Sequence, residues 1–182
     1  MNIRPLQEND LSSLDDMILK CQTALISNEN VTDKEWLIEK ETERLRKVAR
    51  RILLSDKETM FVAVKGGQVL GTIACMTPGE LITCGLEPED GVYEVGSIYI
   101  HPDDQRKGIG HALLQHTQRW LLEKGHSKFY LDAGFVSSQT YWKKRLGEPD
   151  ILLEDYWGGG FNHMIWIGKL KKLKKSVTRI DK

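Results

Sequence analysis

The chain's 182 residues suffice for one domain with a sizeable core. Its composition (hydrophobic 40%, charged 29%) is that of a soluble globular protein and excludes a bilayer-spanning one, since no apolar run approaches the roughly 18 residues a crossing needs. Twenty-six Lys and Arg against 26 Asp and Glu argue against a dedicated nucleic-acid binder.

Asn2-Ile3-Arg4 reads as a short strand ended by Pro5. Met1 to Pro5 lacks the apolar core of a secretory signal, so a cytoplasmic location is expected. Asp10 is placed to cap a helix through Leu11, Leu14, Met17 and Ile18, which Asn28-Glu29-Asn30 breaks. Thr32 or Asp33 starts a second, charged helix whose inward face is Leu45, Val48, Ala49 and Ile52. Met60–Val64, the Gly66-Gly67 turn and Val69–Cys75 form a hairpin. Residues 78–90 read as a loop, and Tyr93–Ile100 as a strand closed by Pro102. A helix from about Ile109 to Lys124 is stopped by Gly125. Lys128–Ala133 is a strand and Ser138–Leu146 a short helix closed by Gly147. Residues 151–157 and 161–167 form a last antiparallel pair around Gly158-Gly159-Gly160. The order implies an α/β (α+β) domain: a mixed, mostly antiparallel sheet of six to seven strands with about four helices on its faces.

Cys21, Cys75 and Cys84 are odd in number and lack CxxC spacing, so reduced thiols are expected, with Cys75 buried and no metal site. The zero net charge hides a basic end. Lys169–Lys182 holds seven Lys and Arg against Asp181, leaving 19 bases and 25 acids in the other 168 residues. Residues 171–182 are therefore read as a basic tail on a domain spanning 1–170. It is either a solvated extension or an arm for an acidic partner or nucleic acid.

The chemistry is concentrated in Ile98-Tyr99-Ile100-His101-Pro102-Asp103-Asp104-Gln105-Arg106-Lys107-Gly108-Ile109-Gly110, where an apolar strand turns into a helix through glycines. A helix start offers unpaired N–H groups and partial positive charge, glycines allow close approach, and Arg106-Lys107 adds two cations. The result is a phosphate cradle. It is not the dinucleotide fingerprint, because Leu113 stands where G-x-G-x-x-G needs its third glycine, and no G-x-x-x-x-G-K-[ST] is present.

The segment resembles the coenzyme A pyrophosphate motif of GNAT (GCN5-related) N-acetyltransferases, Q/R-x-x-G-x-G/A, matched by Gln105, Gly108 and Gly110. The upstream hairpin Val62–Ala74 is similar to the family's first long hairpin. The resemblance implies the GNAT fold, acetyl-CoA as co-substrate and an amine acceptor, on a small molecule or a protein. It implies that Ile98, Tyr99 and Ile100 pair with the pantetheine arm through the backbone, its thioester at a splay between two strands. It also implies that Gln105, Arg106, Lys107, Gly108, Ile109, Gly110 and His111 surround the pyrophosphate.

A lysine-like amine is unprotonated at pH 7 in only about one molecule in 2,500, so a base helps. Glu94 falls, without gaps from Gln105, where histone acetyltransferases of this superfamily place their glutamate. Strand alternation groups it with Gly96, Ile98 and Ile100; otherwise it is a strand-edge carboxylate in water. Asp132 is a second acidic candidate. For the acid the resemblance points to the helix after the fifth strand, where Tyr141 is the choice, although the usual spacing falls on Lys143. The family's asparagine there is missing, with Ser137 or Ser138 standing in. Tyr156, Trp157 and Phe161 either rim the acceptor cleft or pack the sheet, while His163 reads as structural. The enzyme reading leaves room for a homodimer. The competing reading is a catalytically silent acyl-CoA-binding sensor.

Overall fold

The computed structural model describes residues 1–29 and 32–170; the basic tail expected at 171–182 lies outside them. In chain order the elements are β1 (Asn2–Pro5), α1 (Leu11–Ser27), α2 (Lys34–Leu53), β2 (Thr59–Lys65), β3 (Gln68–Met76), α3 (Glu80–Thr83), β4 (Glu94–Ile100), α4 (Ile109–Glu123), β5 (Lys128–Ala133), α5 (Val136–Leu146), β6 (Ile151–Leu153) and β7 (His163–Lys169). The strands make one sheet in the order β1-β2-β3-β4-β5-β7-β6. Every neighbouring pair is antiparallel except β4 and β5.

Alternation along the strands builds two cores. Phe61, Ile73, Val95, Phe129, Leu131 and Trp166 face α4 and α5, meeting Leu113, Leu121 and Trp142. Met60, Val62, Ala74 and Met76 face the other way, under Leu14, Met17 and Ile18 of α1 and Leu45, Ala49 and Ile52 of α2. A third, smaller cluster on that second side gathers Ile82, Tyr130 and Ile165. The second side is thus divided. Helices cover the β1–β4 half and a loop with α3 covers the β5–β7 half.

Several local expectations are corrected. Asp10 does not cap α1. Its carboxylate turns back to Arg4 (2.6 and 2.8 Å) and to the Gln7 amide (2.9 Å), because a buried ion pair satisfies it better than a helix end already continuous with a preceding 3₁₀ turn. The loop 78–90 contains the single turn α3, anchored by fully buried Ile82. The last pair is short, with Leu153 opposite His163 and residues 154–162 as a loop. There the Asp155 side chain accepts from the Gly160 amide (2.7 Å), and the Asn162 side chain accepts from the Asp155 amide (2.9 Å). These local bonds displace the ladder.

Ser97 makes the most consequential departure. It sits at φ 49°, a left-handed value rare outside glycine, and its carbonyl accepts from the Thr72 hydroxyl at 2.8 Å. The β3 register moves from Ala74↔Gly96 to Thr72↔Tyr99, so β4 carries one extra residue, a β-bulge. Beyond it the faces exchange. Glu94, Gly96 and Tyr99 share the α1/α2 side, while Ile98 and Ile100 face α4. The grouping of Glu94 with Ile98 and Ile100 is therefore corrected: strict alternation fails where two residues oppose one.

Candidate active site

Parallel neighbours β4 and β5 pair at one position only, Glu94↔Tyr130, joined by the Tyr130 amide donating to the Tyr93 carbonyl at 2.8 Å. Antiparallel β5 and β7, by contrast, pair over six residues. The gap between β4 and β5 therefore opens toward both C-terminal ends. It leaves the β5-facing backbone edge of Ile98 and Ile100 without a strand partner, while Tyr99 between them pairs with Thr72 and turns its carbonyl toward Gly71 of β3.

The loop after β4 crosses the open end of this gap. His101 and Pro102 start a 3₁₀ turn, and the Gln105 side chain donates back to the Ile100 carbonyl at 3.3 Å, which pins the loop to the strand. Arg106 (φ 61°) and Gly108 (φ 83°) both take left-handed conformations, turning successive amides toward one side. Ala112 donates to the Gly108 carbonyl at 3.0 Å. The amides of residues 106–111 have no internal acceptor among the described residues. Gly110 lies at the contact of α4 with β4, where a Cβ would meet Ile100 at 3.6 Å, so alanine also fits. Lys107 pairs with Asp104 at 2.8 Å in an exposed contact.

Between α4 and α5, His111 Nδ1 lies 2.9 Å from an Arg145 guanidinium nitrogen, and Arg145 covers the Tyr141 ring at 5.3 Å. Tyr141 is 40% exposed and stands on the α4/α5 side of the sheet, opposite to the Glu94 side chain. Ser137, at the start of α5, is taken up by the Glu29 carboxylate through its hydroxyl (3.0 Å) and amide (3.4 Å); Ser138, partly buried beside it, has no such partner among the described residues.

Glu94 stands at the closed end of the gap, half-buried, with the Gly79 amide donating to it at 2.8 Å. Its pKa is raised to about 7, by burial first and then by nearby Asp132, with the Gly79 bond, Arg44 and Arg51 opposing the rise. Gly96 leaves room beside it, since a Cβ there would lie 3.2 Å from Glu94 Oε1. Tyr99 shares this side. Burial raises its pKa and Arg44 opposes the rise. Arg44 itself is held by Glu41 at 2.9 Å through Nε. Asp132 and His163 approach at 3.1 Å. Cys21 and Cys75 are buried, which drives each thiol up to about 12 and makes both inert as nucleophiles. Among the described residues no group of three His, Cys, Asp or Glu converges as a metal site, and no helix is long and apolar enough to cross a membrane.

Sequence reasoning missed Tyr99 as a side chain of the cleft, together with Arg44 and Glu29. The bulge hides the first. Glu29 meets Ser137 from far along the chain, and Arg44, though held by nearby Glu41, acts on Tyr99 and Asp132 of other elements, so no local spacing signals either role.

The sheet is thus parted between two parallel strands, with free helix-start amides at the open end and an acid at the closed end. The acetyltransferase (GNAT) family model matches residues 24–147, and the chain belongs to that family. No curated protein matches it. Solved structures share the fold. A GNAT-family protein of Desulfovibrio desulfuricans has a TM-score of 0.72 at 14% identity, covering 93% of this chain and 99% of its own. The PaiA N-acetyltransferase of Thermoplasma acidophilum, solved with coenzyme A, scores 0.64 at 19% identity, covering 91% and 98%. The ribosomal-protein-S18-alanine N-acetyltransferase of Escherichia coli scores 0.60 at 14%, covering 98% and 99%.

Proposed function

We propose that the chain is an N-acetyltransferase moving the acetyl group of acetyl-CoA to a primary amine, on a small molecule or a protein, by direct attack in a ternary complex. The open amides of residues 106–111, at the mouth of a gap that β4 and β5 leave unpaired, carry this reading. They suit a diphosphate, with Arg106 and Lys107 as neighbouring cations. The β5-facing edge of Ile98 and Ile100, with Tyr99 holding the strand to β3 between them, suits the amide-bearing pantetheine arm, which adds to β4 like a strand. Gln105 holds the loop, His111 and Ser138 flank it, and Ile109 and Gly110 open α4.

Glu94 accepts a proton from the acceptor's ammonium. The neutral amine attacks the acetyl carbon, the N–C bond forms, and the C–S bond breaks. The thiolate leaves with a proton supplied from the α5 side, for which Tyr141 is the proposed donor. The nitrogen loses its second proton as the adduct collapses; of that proton and the one on Glu94, one restores Tyr141 and the other leaves to water, so the sum is acetamide, thiol and one released proton. A base with pKa about 7 is well matched to neutral pH. The Escherichia coli neighbour is named for a protein amine, which supports keeping a protein acceptor beside small molecules.

The test is thiol release from acetyl-CoA across a panel of amines and N-terminal peptides. Release that depends on an amine and yields the acetamide is the expected result. Release of thiol without any acetylated amine would mean hydrolysis, and no release at all would leave a cofactor-binding module.

A further inference from the structure

Asp132 and His163 have no task in this scheme, yet they form a buried pair on the Glu94 side of the sheet. His163 is 1% exposed at the start of β7, and its Nε2 lies 3.1 Å from Asp132 Oδ2. Its Nδ1 accepts from Trp157 Nε1 at 3.4 Å. Indole nitrogen only donates, so the neutral imidazole carries its proton on Nε2, facing the carboxylate. That contact is close without being aligned as a hydrogen bond, and Nε2 has no other partner among the described residues. The histidine therefore acts on Asp132 as a fixed dipole.

The support around the pair is extensive. A Cβ on Gly134 would come within 3.0 Å of Trp157 Nε1 and 3.5 Å of His163 Nδ1, so glycine is what lets the indole and imidazole close on the end of β5. Gln139 Nε2 contacts the carbonyls of Ala133 (3.2 Å), Gly134 (3.2 Å) and Asn162 (2.8 Å), tying the strand end to the glycine loop. This scaffold holds one carboxylate whose side chain keeps 15% exposure.

Register places that carboxylate. Tyr130 is the residue of β5 paired with Glu94, and Asp132 is two residues on, on the same face and about 7 Å further toward the open end. Arg44 and Arg51 of α2 face this region. Arg44 is engaged by Glu41 (2.9 Å) and Arg51 by Glu58 (3.1 Å). Tyr99 of β4 and the Gly79 amide complete the surroundings. With Glu94 ionised, the four carboxylates Glu41, Glu58, Glu94 and Asp132 face two guanidiniums, a balance of −2.

We propose that Asp132, with the His163 Nε2 dipole set against it, is the seat for the acceptor's ammonium, holding it beside Glu94. Asp132 is then a substrate-binding residue and His163 a positioning residue acting through it. The inference rests on the acetyltransferase reading for its acceptor, but its test does not depend on turnover.

Protein labelled with 13C at Asp and Glu carboxyl carbons, with coenzyme A present, is titrated with n-butylammonium chloride and separately with aniline at pH 7.5. Glu94 and Asp132 signals are assigned by E94Q and D132N. Butylammonium should perturb the Asp132 signal in the wild type, and aniline should not. Removing the Asp132 charge in the isosteric D132N should move the Glu94 titration to lower pH by about half a unit or more, since a like charge has been taken away. H163Q, which retains a donor, should keep both effects in part, whereas H163A should lose the butylammonium response. An Asp132 signal indifferent to butylammonium, or a Glu94 titration unmoved in D132N, overturns the proposal. Thiol release measured with the full panel of amines separates the two ideas: a perturbed Asp132 with no amine of the panel acetylated sinks the transfer reading and leaves the seat standing.

Discussion

A carboxylate at the first position of a partly buried strand loses hydration, and among the described residues Glu94 recovers one hydrogen bond in exchange, from the Gly79 amide at 2.8 Å. The folded chain consequently prefers it protonated, with its pKa raised to about 7 from 4.5. A raised carboxyl pKa gives stability that is fully present below the unfolded value and lost as pH rises through the folded one. E94Q mimics the protonated form while keeping an oxygen for the Gly79 amide. Its urea midpoint should match the wild type near pH 4.5 and exceed it above pH 7, the difference growing between those limits. Activity should fall by roughly 10²- to 10⁴-fold, with loss of the limb near pH 7 from the rate profile. A wild type more stable than E94Q at pH 8 would refute the assigned cost. That Glu94 lies on the strand leading to the Gln105 loop was legible in the sequence. Its perturbed chemistry was not, since Asp132, Arg44 and Arg51 come from other elements.

Elements were legible where one physical signal dominates. The hairpin β2–β3 follows from apolar residues on either side of Gly66-Gly67, both at positive φ (59° and 78°). The strand β5 falls on its expected bounds, and α4 ends at Gly125 with φ 87°. The bulge at Ser97 had no signal, because serine is an ordinary strand residue and its left-handed φ is imposed by the Thr72 contact across the sheet. Packing across strands has the same non-local character at Gly168. It lies opposite Phe129 in the β5–β7 ladder, and a Cβ there would overlap the Phe129 ring. Phe129 is fully buried in the core under α4, so the ring has nowhere to retreat. G168A should destabilise the fold by about 1–3 kcal/mol through overpacking, even though alanine is the better strand former. Denaturant unfolding measures this, and a neutral or stabilised G168A would show that the ring can move.

At the scale of the molecule, the sheet is two ladders, β1–β4 and β5–β7–β6, that share one paired position at Glu94↔Tyr130. On one face the core under α4 and α5 spans both ladders, with Val95 on one and Phe129, Leu131 and Trp166 on the other. On the opposite face the clusters are separate. A mixed sheet and its helix count could be read from the order of the elements. A splay between two strands was expected from the family resemblance alone; that it falls between β4 and β5 has no local signal, because it depends on the long-range pairing of β4 with β3 and of β5 with β7. A ligand that fills the gap joins the ladders and binds only the folded state. Coenzyme A at 100 times its Kd should then add about 2.7 kcal/mol of stability, a rise in Tm of roughly 5–10 °C for a chain of this size. The gain depends on main-chain approach at Gly108, whose φ of 83° a β-branched residue cannot adopt without strain. G108V should therefore show less than half of the wild-type shift at equal coenzyme A, while Gly110→Ala, which meets only ordinary contact with Ile100, should retain most of it. Differential scanning fluorimetry with and without the ligand distinguishes these outcomes. Equal shifts in wild type and G108V would place the diphosphate away from the amides of residues 106–111.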